Sequence, residues 1–287
     1  MDLQAILRLF ENQDFEIDDR YAVQQLQMIY FNSKLNSKEF YEKQYLRLSS
    51  INILSNDGLL STVGSATEIN GVKNIAEVSL EGIMLMQDQM CSPGIRSLDR
   101  TLRSLYNSAN VDGILIHADS GGGQSQAGAF LNNAIGDRNK PVLVHTTMLG
   151  SAAVRGTLQA EQIISDSKST LVGSIGSMAT LSKDFLSDES KTVDVYSDTS
   201  QRKNEEIRAA KQGDFSLLVK RLTRNDKFFM DEVRKYADLK GDEATIKETL
   251  SGALFDSVQA RRRGLISGIG SVEVARQRLR TEIKIAN

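Results

Sequence analysis

The sequence predicts an α/β protein built on a mostly parallel sheet. Three observations carry this. Short apolar runs at residues 113–118, 141–145 and 162–165 have the length and near-continuous apolarity of buried parallel strands. Segments of helical spacing separate them, at residues 95–108, 124–135 and 152–160. Glycine-bearing turns punctuate the change from strand to helix, as at Gly121-Gly122-Gly123 and Gly150-Ser151. Strands alternating with helices at this interval imply crossover connections and a parallel sheet.

Residues 1 to about 50 show helical periodicity, with Ile6, Leu7, Leu9 and Phe10, then Tyr21, Leu26, Ile29, Tyr30 and Phe31. Residues 49–74 are rich in Ser, Asn and Gly and read as a linker holding one short strand. The expected division is a helical N-terminal extension and linker, 1–74, and a main domain, 75–287. The extension is expected to contribute to subunit or partner contacts. From residue 75 the chain reads as strand, 75–84, then as a helix with Ile95, Leu98, Leu102 and Leu105 on one face. Strand 113–118, the glycine turn and helix 124–135 follow. Strand 141–145 leads through Thr146–Gly150 to Ser151, and a helix over 152–160 precedes strand 162–165. After Lys203 a long helix is expected from Phe215 to Ala237, then a strand at 253–255 and two further helical segments.

Composition narrows the function. With 40% apolar and 25% charged residues among 287, the chain has an ordinary globular make-up. A formal net charge of −2 gives no electrostatic reason to expect nucleic acid or an anionic membrane surface as partner. The basic triplet Arg261-Arg262-Arg263 reads as a solvated helix face. One cysteine, Cys91, builds neither a disulfide framework nor a thiolate metal site and reads as a structural thiol. No signal peptide or membrane-spanning run is visible, so a cytoplasmic protein without a membrane anchor is expected. No cofactor and no metal are expected.

The chemistry points to Ser151, in Met148-Leu149-Gly150-Ser151-Ala152-Ala153. A serine hydroxyl is a weak nucleophile until a base removes its proton. The two histidines, His117 and His145, both precede Ser151, each ends an apolar run, and both read as core or strand-end residues. A lysine can act as base when a dry pocket keeps it neutral. A serine at a helix start also suits an N-cap, and the glycines of 121–123 an ordinary turn. No Gly-Lys-Ser/Thr follows them, which argues against a phosphate site.

Four segments together resemble the signal peptide peptidase A (protease IV) family of serine peptidases. Asp119-Ser120-Gly121-Gly122-Gly123 resembles its Ser-Pro-Gly-Gly turn, and Gly150-Ser151-Ala152-Ala153 with Ala160-Glu161-Gln162-Ile163-Ile164 its nucleophile helix and following strand. Gly173-Ser174-Ile175-Gly176 matches its Gly-Ser-Ile-Gly turn, and the stretch from Gly252-Ala253-Leu254-Phe255 to Gly268-Ile269-Gly270 its closing segment. The resemblance spans roughly residues 75–275. It implies a Clp protease/crotonase-like fold of repeated ββα units. It implies Ser151 as nucleophile, Lys203 as base at near the family spacing, Gly122 and Ala152 as backbone donors of the oxyanion hole, and Ser174 as support for the lysine. Lys183, Lys191 and Lys211 are rivals to Lys203.

The sequence departs from the family at Gly121, where proline is usual, at Ser267 in place of aspartate, and at Ala152-Ala153 in place of two glycines. The last variant looks like phage-type members. The resemblance therefore implies a Ser/Lys endopeptidase that processes phage or prophage capsid and scaffold proteins, in host cytoplasm or procapsid, as a homo-oligomer. A signal-peptide-degrading peptidase, a crotonase-like acyl-CoA enzyme and a non-catalytic assembly protein are the alternatives.

Overall fold

A computed structural model describes residues 15–17, 38–71, 74–89, 92–181, 186 and 195–286. In chain order these form β1 (Phe15–Ile17), α1 (Lys38–Ser49), β2 (Ile51–Leu54), β3 (Leu60–Val63), β4 (Asn74–Glu81), α2 (Ile95–Asn107), β5 (Val111–Ser120) and β6 (Gly122–Gln124). There follow α3 (Ser125–Gly136), β7 (Val142–Gly150), α4 (Ala152–Thr157), β8 (Gln162–Ser165), β9 (Leu171–Gly173), α5 (Glu205–Lys211) and α6 (Ser216–Tyr236). The chain continues through α7 (Glu243–Thr249), β10 (Leu254–Asp256), α8 (Ser257–Arg262), β11 (Gly268–Ile269) and α9 (Val272–Ala286).

The described strands make one nine-stranded sheet and a separate two-stranded pair, β1 with β6. The centre is parallel: β4 pairs β5, and β5 pairs β7. Helices α2 and α3 return the chain between these strands, which is what a parallel connection requires. β7 forks at its far side, pairing β8 through Leu143–Thr146 and β9 through Met148–Gly150. Antiparallel strands close the edges, β10 on β9 and the β2–β3 hairpin on β4. The α/β class expected from the sequence is the one observed.

Side-chain alternation sorts the sheet into two faces. Ile114, Ile116, Val142 and Val144 face the larger core with Leu98, Leu102 and Leu105 of α2 and Leu131 and Ile135 of α3. Each such fully buried aliphatic contributes about 1.5–3 kcal/mol. Leu115 and Leu143 face the other way, where Ala275 and Leu279 of α9 cover them. Neighbouring positions on that second face are polar. Glu77, 2% exposed, takes two hydrogen bonds from Arg276, at 2.6 and 2.9 Å, and lies 2.9 Å from His117 Nε2.

Several expectations change. Residues 49–74 are not a linker: β2 and β3 are integral to the sheet, so the division expected at residue 74 falls between two of its strands. The hairpin escapes a composition reading because Asn52 and Ser61 are polar, while Ile51 and Ile53 supply the buried contacts. Within 1–50, Phe15–Ile17 is a strand rather than helix. Helix α1 agrees with the expectation, and the apolar residues named at 6–10 and 21–31 lie outside the described residues. The strand expected at 141–145 runs on to Gly150, and the helix after Ser151 ends at Thr157. Cys91 lies outside the described residues. Among the described residues no helix is long and apolar enough to cross a membrane.

Candidate active site

Three parallel strands end side by side. Register partners are Ser120 with Leu149, Leu149 with Val172, and Gly150 with Gly173. The chain leaves β5 at Gly121-Gly122, β7 at Ser151 and β9 at Ser174. Three expected site residues, Gly122, Ser151 and Ser174, therefore share the carboxyl edge of one sheet, the usual place for ligands in open parallel sheets. A methyl group on Gly150 would meet the Gly121 carbonyl oxygen at 3.0 Å, tighter than an ordinary contact, so glycine at 150 eases this close approach of the two backbones.

Ser151 is held in strain. Its φ of 53° and ψ of −116° lie in a region that glycine favours and a residue with a β-carbon rarely adopts. The hydroxyl makes no capping bond to α4, so the N-cap reading fails at the one bond that defines it. It donates instead to the Gly176 carbonyl at 3.3 Å. The Ser151 N–H donates to Gly173 at 2.8 Å, fixing the elbow on the neighbouring strand. Ala152, fully buried, opens α4 at a position whose N–H has no acceptor within its own helix.

The glycine turn is tied down from one side. Gly82 N–H donates to Asp119 at 2.9 Å, and Met84 N–H to Gly122 at 2.9 Å. The Ser120 hydroxyl donates to Gly82 at 2.6 Å and accepts from the Gly122 N–H at 3.2 Å. Gly122 sits at a φ of 106°, where only glycine is at ease. Burial, followed by repulsion from Glu81, raises the Asp119 carboxyl above the usual range, against a lowering hydrogen bond from Thr147.

Ser174 has a φ of 56° and anchors its N–H on Ala253 at 2.7 Å. Its hydroxyl makes no hydrogen bond among the described residues. Lys203 is exposed in the turn before α5, and no bond joins it to Ser151 among the described residues. The following residue, Asn204, is left-handed at a φ of 55°; with Ser151 and Ser174 it completes the set of described non-glycine residues at positive φ. Lys183 and Lys191 lie outside the described residues. Lys211 lines a cleft of about 830 Å³ with Leu181, Tyr196 and Arg221.

Of the two readings expected for the histidines, strand end fails and core holds for His145, which is 6% exposed. His117 and His145 are register partners within β5 and β7, their ring centroids 6.0 Å apart. His145 lies six residues upstream of Ser151 along an extended strand, about 20 Å away, too far to take its proton. Burial lowers the His145 pKa, and His117 adds to the effect.

Arg155 was not visible as a site residue. It is 6% exposed, one turn beyond Ser151, and donates to Glu232 of α6 through Nε and Nη2, both at 2.9 Å. It also donates to Ser125 at 3.1 Å and lies 5.6 Å from the Phe229 ring centroid. This clamp fixes α4, and with it Ala152, against α3 and α6. The available signal was an arginine in a helix otherwise made of small and apolar residues. Beside the clamp runs a groove of about 710 Å³, lined by Met86, Gln124, Gln126, Arg155, Asn225 and Phe228.

No family model and no curated protein sequence matches the chain. Among solved structures, it is similar to a ClpP1 mutant from Listeria monocytogenes, at 18% identity over 67% of this chain and 90% of that one, with a TM-score of 0.45. A membrane-bound stomatin-specific protease is similar at 14% identity, over 72% and 86%, with a TM-score of 0.46. An enoyl-CoA hydratase from Shewanella pealeana is similar at 11% identity, over 86% and 77%, with a TM-score of 0.43. At this level of likeness the functional reading rests on the site's own geometry.

Proposed function

We propose that the chain is a serine endopeptidase of Clp/crotonase-like fold with Ser151 as nucleophile and Lys203 as base. The observation that carries this reading is the Ser151 elbow: a strained, uncapped serine where a parallel strand meets a helix, beside the Gly122 turn. Strain retained at one polar side chain is a mark of functional sites.

The Ser151 oxygen bonds to the substrate carbonyl carbon as its proton passes to the lysine amine. The oxyanion takes hydrogen bonds from the Ala152 and Gly122 N–H groups, the latter exchanging its long bond to Ser120. The C–N bond breaks as the ammonium returns its proton to the leaving amine. Water, deprotonated by the same amine, then hydrolyses the acyl ester. Ser174 orients the lysine. Because Lys203 is exposed in the free chain, the reading requires the turn before α5 to close over the site with substrate or a neighbouring subunit.

Ala152-Ala153 after the nucleophile supports a phage or prophage setting, with capsid and scaffold proteins as substrates. Exposed Phe215, just before α6, and Val219 and Phe228 along it support a homo-oligomer. Cleavage of unfolded casein by the native chain, Ser151→Ala and Lys203→Ala tests the reading. Ser151→Ala is expected to lose activity by about 10³-fold or more. Casein cleavage retained within about tenfold of native removes Ser151 from the mechanism.

A further inference from the structure

Strand β6 offers one free edge, and a segment from the far N-terminal region already occupies it. On one side β6 is held by Met84, whose N–H donates to Gly122 at 2.9 Å and whose carbonyl accepts from Gln124 at 2.8 Å. Alternation along a strand then turns the N–H and C=O of Gly123 to the opposite edge. There β1 pairs antiparallel, Phe15 with Gln124, Glu16 with Gly123 and Ile17 with Gly122. Glu16 is thus the residue that exchanges backbone bonds with Gly123. β1 also packs against α4, the helix that begins directly after Ser151.

The pairing has the form of a peptide laid along a sheet edge. Glycine is required at 123, since a methyl group there would fall 2.1 Å from the Met84 carbonyl oxygen. Bare glycine also lets a second backbone come close. Three residues a side, separate from the main sheet, make a weak and exchangeable pair. Ile17 lies opposite Gly122, the expected oxyanion donor, so β1 runs directly beside the turn that the peptidase reading assigns to the site.

We propose that Phe15–Ile17 is a built-in occupant of the peptide-binding edge, an intramolecular strand that must leave before a substrate strand can pair with Gly123. Its effect on catalysis rests on the peptidase reading above; the occupancy itself does not.

The test uses a fluorescein-labelled peptide of residues 11–20 and the chain carrying Ser151→Ala, so that binding is read without turnover. Glu16→Pro removes the N–H that the ladder needs, and a chain lacking residues 1–20 removes the occupant altogether. Both are expected to bind the peptide at least tenfold more tightly than their Ser151→Ala parent, while Glu16→Ala, which keeps its N–H, gains less than Glu16→Pro. Equal affinity in all four folded chains, or binding by none, overturns the proposal. In parallel, fluorophosphonate labelling of the Ser151-bearing chains is expected to quicken at least fivefold with Glu16→Pro. A gain in peptide binding with no labelling of any chain keeps the occupant and defeats the peptidase; labelling with no gain in peptide binding does the reverse.

Discussion

Gly128 of α3 packs directly on Ala152 of α4: a methyl group at 128 would lie 2.7 Å from the Ala152 carbonyl oxygen. Glycine inside a helix costs about 1 kcal/mol relative to alanine, so this contact is what explains it. Gly128→Ala is expected to push α4 away and lower Ser151 labelling at least tenfold. The fold should lose only about 1–2 kcal/mol, because helix propensity offsets part of the overpacking. Thermal melting beside labelling kinetics checks both.

Glu232→Gln removes the carboxylate that Arg155 meets at two points and weakens this largely buried pair. A loss of about 3 kcal/mol is expected, the size that breaking a buried ion pair typically has. Urea unfolding measures it. A change below about 0.5 kcal/mol would mark the pair as solvated in solution.

Acid should weaken the sheet through Glu77. Burial alone would raise its carboxyl, but hydrogen bonds from His117 and Arg276 outweigh that and bring it from 4.5 to about 2. A depressed carboxylate contributes stability that is complete above the unfolded value and lost as pH falls toward the folded one. The native chain should therefore lose about 3 kcal/mol between about pH 4.5 and 2 on this account. Glu77→Gln should be less stable at neutral pH and flatter across that window, as read by unfolding titrations at each pH.

The central strands and the Ser151 elbow were legible because buried parallel strands are uniformly apolar and the elbow lies within one short stretch. Long-range partners were not. Glu77 and Arg276 sit 199 residues apart with no local pattern linking them. Arg155 reads as an ordinary helix residue until α6 brings Glu232 to it. β1 pairs through backbone, which composition does not encode.

Lys203 is the most exposed part of the mechanism. Lys203→Arg should be nearly as damaging as Lys203→Ala, since a guanidinium stays protonated and cannot take the Ser151 proton. Lys211→Ala should change turnover less than about threefold if Lys203 is the base, although Lys211 lines the same cleft as Arg202 and Asn204. An active Lys203→Ala variant would move the base to Lys183, Lys191 or Lys211.

An activated Ser151 differs from a structural serine in its reactivity toward an electrophile. Reaction of the intact chain with a fluorophosphonate, followed by peptide mass mapping, reads this directly. A single adduct on Ser151, absent from a folded Ser151→Ala chain, is the predicted result. An unlabelled native chain, or an adduct that persists in Ser151→Ala, would contradict it.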